Sequence, residues 1–159
     1  MTFSFPEVLN LSELANAVAF YKNQNKKIVF TNGCFDLLHV GHVRYLKQAK
    51  SLADILIVGV NTDASVQKLK GPTRPIQNEN DRAEILASLD SVDHSILFAE
   101  ETPQLLIEMI KPDFLVKGGD WKIDQIVGSD FVLKNGGQVL SLQFVDEKST
   151  TSLVEKFKK

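Results

Sequence analysis

The 159-residue chain has one cysteine, Cys34, so no disulfide can form within it. Its position beside an apolar, strand-like run reads as a buried, unreactive thiol rather than a nucleophile, which suits the cytoplasm. No stretch of 18 apolar residues occurs, and the N-terminus lacks a basic region followed by an apolar core and a cleavage site. Neither a membrane span nor export is therefore expected. Neither sign of charge is in excess, with 18 Lys and Arg against 20 Asp and Glu. That balance gives no general attraction to nucleic acid or to an anionic membrane, so a phosphate ligand would have to be held by cations gathered locally. Repeats at solenoid spacing and Gly/Ser linkers are also absent. What remains is one domain, 1–159, with a helical N-terminal segment (1–25) ahead of an α/β core (26–159). A composition of 43% hydrophobic and 24% charged residues fits a globular protein that buries its own core.

The core is organised around one stretch. Lys26-Lys27-Ile28-Val29-Phe30-Thr31-Asn32 is a β-branched, apolar run that ends at Gly33. Beyond the turn, apolar residues return at helical spacing through Val43, Leu46, Ala49 and Leu52, which predicts strand, tight turn, helix. His39 and His42, with Gly41 between them, sit where that helix begins. A helix start presents unpaired N–H groups and partial positive charge, and so attracts phosphate. The two imidazoles can face one anion and Gly41 admits close backbone approach, so the turn reads as a nucleotide-phosphate site. The alternative is a histidine pair that only caps the helix.

Along the rest of the chain the spacing predicts a helix over 10–23 packed outside the core, with Leu11, Leu14, Ala15, Val18 and Ala19 on one face. A continuous apolar run over 54–60 predicts a strand buried on both faces. Asn61-Thr62-Asp63 can cap a short helix through Ser65 and Val66. Lys68 to Ile76 holds Pro72, Pro75, Gly71 and the cations Lys68, Lys70 and Arg74, and reads as a loop. A helix over 79–89 carries Arg82, and a strand follows over 92–98. The next helix starts at Thr102-Pro103 with Leu105, Leu106, Met109 and Ile110 inward. A strand over 112–116, a helix over 123–134 and a strand over 138–144 come next. Ser149-Thr150-Thr151 then opens an amphipathic helix through Leu153, Val154 and Phe157. The alternation predicts a doubly wound, Rossmann-like α/β fold, a parallel five-stranded sheet with helices on both faces. Ligands of such sheets bind beyond the carboxyl ends of the strands, so segments 31–42, 117–121 and 148–151 should converge on one crevice. Lys70, Arg74 and Arg82 could neutralise a triphosphate there, although for any single cation a solvated surface role is the simpler reading. His94, in a strand away from these segments, is expected to be structural.

Gly33-Cys34-Phe35-Asp36-Leu37-Leu38-His39-Val40-Gly41-His42 resembles the signature of the nucleotidyltransferases that carry His-x-Gly-His, the cytidylyltransferase-like superfamily. Within that group, Lys70-Gly71-Pro72-Thr73-Arg74-Pro75 ahead of an Arg-bearing helix resembles the corresponding loop of bacterial heptose 1-phosphate adenylyltransferases. The same subgroup carries Lys-Gly-Gly-Asp followed by an aromatic, as in Lys117-Gly118-Gly119-Asp120-Trp121 here. Glycerol 3-phosphate cytidylyltransferases tend to have Gly-Asp-Asp-Trp instead. Ser149-Thr150-Thr151 is first of all a helix N-cap. It also resembles the superfamily's Ser-Thr-Thr, whose hydroxyls and helix N-terminus contact nucleotide phosphates. Cytidylyltransferases place an arginine ahead of that motif, and Phe144 stands there in this chain.

The resemblance implies transfer of AMP from ATP to D-glycero-β-D-manno-heptose 1-phosphate, giving ADP-heptose and pyrophosphate. It implies His39, His42 and Lys70 as catalytic groups. Nucleotide contacts are expected from Asn32, Gly33, Cys34, Phe35, Gly41, Arg82, Lys117, Gly118, Gly119, Asp120, Ser149, Thr150 and Thr151. Asp36, Arg74 and Trp121 are further candidates for phosphate or substrate contact, Trp121 by stacking or by packing at the crevice edge. No His/Cys/Asp/Glu cluster has metal-site spacing, so Mg²⁺ would arrive with ATP. A homodimer is expected on the same ground. A sugar phosphate is already a competent nucleophile, so catalysis should be positioning and charge stabilisation rather than general base or covalent chemistry. Two other readings are a polyol-phosphate cytidylyltransferase and a non-catalytic nucleotide sensor.

Overall fold

The continuous apolar runs make the middle of the sheet. The computed structural model describes residues 4–143 and 150–158. Phe144 and Ser149, and the arguments attached to them, lie outside the described residues. Strand β2 (Ile28–Gly33) pairs in parallel with β3 (Ile55–Asn61) on one side and with β5 (Phe114–Gly118) on the other. Every residue of β3 is buried, as a strand covered on both faces requires. β4 (His94–Phe98) extends the sheet beyond β3, and β6 (Gln138–Leu142) extends it beyond β5. A further strand, β1 (Val8–Leu9), adds to the outer edge of β4 with Val8 opposite Ser95. The sheet therefore has six parallel strands in the order β1-β4-β3-β2-β5-β6, not five. β1 escapes sequence reading because two residues are too few to display an alternation.

Alternate residues of β2 feed two cores, as strand geometry dictates. On one face Ile28 and Phe30 pack with Leu14, Ala17 and Val18 of helix α1 (Leu11–Asn23) and with Leu106, Ile107 and Ile110 of α5 (Gln104–Ile110). On the other, Val29 packs with Tyr45, Leu46 and Ala49 of α2 (Val40–Lys50) and Leu86 of α4 (Glu79–Ala87). Helix α1 is thus part of the core rather than outside it, and Leu11, Ala15 and Ala19 face solvent. It begins at a capping box, in which the Glu13 N–H donates to Asn10 Oδ1 at 2.9 Å and the Asn10 N–H donates to Glu13 Oε2 at 2.8 Å. In α5 Ile107 takes the inward place expected of Leu105, which is 44% exposed.

The short helix α3 (Asp63–Lys70), capped by Thr62, runs further than expected. Lys68, Leu69 and Lys70 form its last turn, and Gly71 at φ +97° ends it. The helix expected over 123–134 divides into a 3₁₀ turn (Ile123–Gln125) and α6 (Ser129–Lys134), separated by Gly128 at φ +85°. Helix α7 (Thr150–Phe157) leaves Phe157 exposed rather than on its inward face. Among the described residues no helix is long and apolar enough to cross a membrane. From β2 the chain builds outward through β3 to β4, then returns to build β5 and β6 on the other side. The strand order reverses between β2 and β5, and a ligand crevice is expected at their carboxyl ends, Gly33 and Gly118.

Candidate active site

A crevice does open at that switch point. Asn32, Gly33, Cys34, Phe35 and Asp36 line it from the end of β2, and Lys117 and Gly118 from the end of β5. His42 and Tyr45 come from α2, Lys70 from the end of α3 and Thr150 from the start of α7.

His39 is the N-cap of α2, with extended backbone. Its N–H donates to His42 Nδ1 at 3.4 Å, and the two rings stack with centroids 3.9 Å apart and planes at 26°. A nitrogen that accepts carries no proton, so the His42 proton sits on Nε2. Burial lowers the His42 pKa to about 4, with His39 and Lys70 pushing the same way. At neutral pH His42 is therefore an N–H donor, not a cation. Capping and chemistry are compatible: Nδ1 serves the helix end, and the ring still lines the crevice.

Phe35 is the strained residue of the turn, at φ +46°. A left-handed conformation costs a bulky side chain about 1–2 kcal/mol. Its ring is 8% exposed and meets His42 edge to face, 5.4 Å between centroids at 63°. Gly33 makes room for it, since a Cβ there would lie 3.0 Å from Phe35 Cε2.

Asp36 is 1% exposed. It accepts from Arg74 Nε at 2.7 Å and from the Ile76 and Gln77 N–H groups at 2.9 Å. Burial pushes this carboxyl up, but the two N–H groups and Arg74 outweigh it and hold it below the usual carboxylate range. The segment after α3 is thereby docked on the signature turn rather than loose. Arg74 Nη2 is buried with no hydrogen-bond partner among the described residues, and Arg74 lines a neighbouring cavity together with Lys70 and Thr151.

Arg82 is placed differently from the sequence reading. Its side chain is fully enclosed and donates from Nε to the Gln77 carbonyl at 3.0 Å, from Nη1 to the Cys34 carbonyl at 2.6 Å and from Nη2 to Asp63 Oδ1 at 2.8 Å. It sits under the turn as a tether and does not line the crevice.

Lys117 is half-buried, and that burial lowers its pKa while Cys34 opposes the shift. Its ammonium lies 5.6 Å from the Trp121 ring, and Trp121 Nε1 donates to the Gly118 carbonyl at 3.2 Å. Gly119 adopts φ +115°, where a side chain would be strained. Thr150 Oγ1 donates to the Leu37 carbonyl at 3.1 Å, fastening the start of α7 to the signature turn. Gly41 is buried in the first turn of α2. Together with Gly119, Asp120 and Trp121 it does not line the central crevice, and His39 stands behind His42.

One lining residue was not foreseen. The Tyr45 hydroxyl hydrogen-bonds Thr31 Oγ1 at 2.7 Å, and burial raises the Tyr45 pKa. Its position three residues after His42, on the same helix face, was the available signal.

Comparison with known proteins identifies relatives of the chain and of its fold. The bifunctional protein HldE of Citrifermentans bemidjiense is 55% identical over 150 residues, 94% of this chain and 31% of the relative. HldE of Azotobacter vinelandii is 55% identical over 152 residues, 96% of this chain and 32% of the relative. The chain thus spans about a third of the length of these relatives. Among solved structures, a lipopolysaccharide core biosynthesis protein from Thermoplasma volcanium superposes with a TM-score of 0.62 at 33% identity, covering 77% of this chain and 99% of that one. A pantoate-beta-alanine ligase from Francisella tularensis, complexed with beta-gamma ATP and beta-alanine, superposes with a TM-score of 0.58. At 18% identity over 91% of this chain and 68% of that one, it shows the fold alone. The sequence profile of the cytidylyltransferase-like family matches residues 30–153, signature turn and crevice included, and the chain belongs to that family.

Proposed function

We propose that this domain is an adenylyltransferase that moves AMP from ATP to D-glycero-β-D-manno-heptose 1-phosphate. The products are pyrophosphate and ADP-heptose, a precursor of lipopolysaccharide core or another surface glycan. The observation that carries the reading is the convergence of His42, Lys70, Lys117 and Thr150 on one crevice at the strand-order reversal. The HldE relatives and the Lys117-to-Trp121 motif support the heptose substrate.

The acceptor's phosphate oxygen attacks the α-phosphorus as the bond to the bridging oxygen of pyrophosphate breaks. No proton need be removed from the nucleophile. The barrier lies in bringing two anions into line and in the charge that gathers on the departing pyrophosphate. His42 Nε2–H is a fixed, desolvated donor for an α-phosphate oxygen, and Lys70 supplies the charge that a neutral imidazole lacks. Lys117 stands on the β5 side, suited to the acceptor phosphate or sugar. Asp36, the acid in the lining, is spent on Arg74, Ile76 and Gln77. Mg²⁺ in this reading is held by the nucleotide's own phosphates and offsets their charge. The family resemblance also points to a homodimer, which sedimentation equilibrium tests.

Pyrophosphate release over four nucleotides, with a panel of sugar 1-phosphates and polyol phosphates, tests the function. ATP with the heptose 1-phosphate should give the highest kcat/KM. Faster turnover of CTP with glycerol 3-phosphate would sink the substrate assignment, and nucleotide binding with no pyrophosphate release would sink the enzyme reading.

A further inference from the structure

We infer that Phe35 is a positioning residue whose ring fixes the orientation of the His42 imidazole, and that its strained backbone is retained for that purpose. Aromatic residues rarely adopt φ near +46°, and a glycine would relieve the strain if the turn alone demanded that conformation. The chain instead places its glycine at Gly33, beneath the ring, where a Cβ would come within 3.0 Å of Phe35 Cε2. Space is thus made for the aromatic side chain while the strain at its own backbone stays.

The backbone on either side is pinned. The Cys34 carbonyl accepts from Arg82 Nη1 at 2.6 Å, and the Asp36 carboxylate is held by the Ile76 and Gln77 N–H groups. Residue 35 therefore cannot relax without breaking contacts to α4 and to the segment before it. The ring so held meets His42 edge to face at 5.4 Å, while His39 stacks at 3.9 Å. The hydrogen bond from the His39 N–H to His42 Nδ1 is long, at 3.4 Å, and therefore weak, and packing by the two rings adds restraint on rotation of the imidazole. His39 and Lys70 push the His42 pKa down, Cys34, Asp36, Tyr45 and Lys117 line the same crevice, and Phe35 adds the apolar wall.

The kinetic consequence rests on the nucleotidyl-transfer reading, whereas the structural consequence does not. Phe35→Met keeps the volume without the flat ring, and Phe35→Ala removes both. Nitrogen-resolved imidazole spectra of the wild-type chain should show His42 as a single Nε2–H tautomer with a titration midpoint near 4. A mixed tautomer in the wild type would overturn the inference by itself, whether or not the variants fold. Both variants should show tautomer mixing and a midpoint moved up towards the ordinary histidine value. They should lose roughly tenfold or more in kcat, with KM for ATP changed less than about threefold, because a misplacement of about an ångström can cost up to ~10²-fold. A folded Phe35→Met with wild-type kcat and one tautomer would overturn the proposal, as would a loss of kcat without any change in the imidazole signals. If the wild-type chain released no pyrophosphate from any pair of substrates, the functional reading would fail while the spectra still judged Phe35.

Discussion

His42 is half-buried and His94 buried, and desolvation lowers the pKa of both imidazoles, yet the regions around them differ in what surrounds the neutral ring. His94, at the start of β4, is 4% exposed and spends both nitrogens on uncharged partners. A carbonyl can only accept, so His94 Nδ1 donates to the Pro6 carbonyl at 2.8 Å and Nε2 accepts from the Tyr21 hydroxyl at 2.6 Å. Phe5 packs edge-on at 6.4 Å, and β1 adds its two residues alongside. The result is a latch for the N-terminal segment. His42 accepts a backbone N–H at Nδ1, shares its crevice with Lys70, which pushes its pKa down, and follows a turn with positive φ. Desolvation alone thus does not separate the two histidines. What sets His42 apart, and what its proposed role rests on, is the Lys70 ammonium, the positive-φ residue before it and the crevice that it lines.

The largest effect on stability expected on the signature side comes from Arg82. Arg82→Met removes three donors at once and strands the Cys34 and Gln77 carbonyls and the Asp63 carboxylate. Breaking a buried pair costs about 3–5 kcal/mol, here near the lower end because Asp63 is 36% exposed. Urea unfolding should show that loss equally with and without ATP. A variant of normal stability and poor ATP affinity would return Arg82 to the nucleotide. Next comes His42→Ala, which should fold and lower turnover by about 10²–10³, roughly 3–4 kcal/mol, with a smaller change in ATP affinity. Turnover near normal would reduce His42 to a helix cap and erase its difference from His94. Lys70→Ala removes a charged donor shared by the crevice and the cavity beside it. Steady-state kinetics should show kcat/KM for ATP falling roughly 10–10²-fold, the equivalent of a charge-assisted hydrogen bond. An unchanged value would make Lys70 a solvated surface residue.

Features set by local sequence were legible before any coordinates. The continuous apolar run of β3, the Thr62 cap and the histidine pair at a strand-to-helix turn each follow from residues within a few positions of one another. The misses depend on distant partners. β1 exists because residues 8 and 9 find the edge of β4, some 87 positions away. Arg82 reads from sequence as a nucleotide contact or a solvated cation, and only its partners at Cys34 and Asp63, 48 and 19 residues back, reveal a buried tether. The inward face of α5 is ambiguous in sequence because Leu105, Leu106 and Ile107 are consecutive apolar residues, and packing buries Leu106 and Ile107. At the end of α3 the prolines and Gly71 predict a loop from Lys68, yet the helix runs on to Lys70, the residue before the glycine.

The smallest effect sharpens the comparison from the latch side. Burial pushes His94 below the ordinary histidine range, Lys50 adds to this, and the Pro6 carbonyl, Asp93 and Glu7 oppose it. Unfolded, the same imidazole titrates near 6.5, so between that value and its lowered folded value the unfolded chain binds more protons than the native one. Stability from this site is therefore full above about pH 6.5 and declines as the pH falls below it. His42 contributes a decline of the same sign, ending near its folded value of about 4. His94→Phe leaves the Tyr21 hydroxyl and the Pro6 carbonyl without their partner, and should cost about 1–2 kcal/mol at pH 7.5. It should also remove one titrating group, so the gap between variant and wild type narrows from pH 7.5 to pH 5, read as the difference in urea midpoints. Turnover at neutral pH should stay within about twofold of wild type, because no crevice residue is touched. A gap that stayed constant with pH would mean that His94 is not held neutral by its burial. A collapse of turnover would mean that the latch and the crevice are coupled, and the contrast between the two histidines would fail.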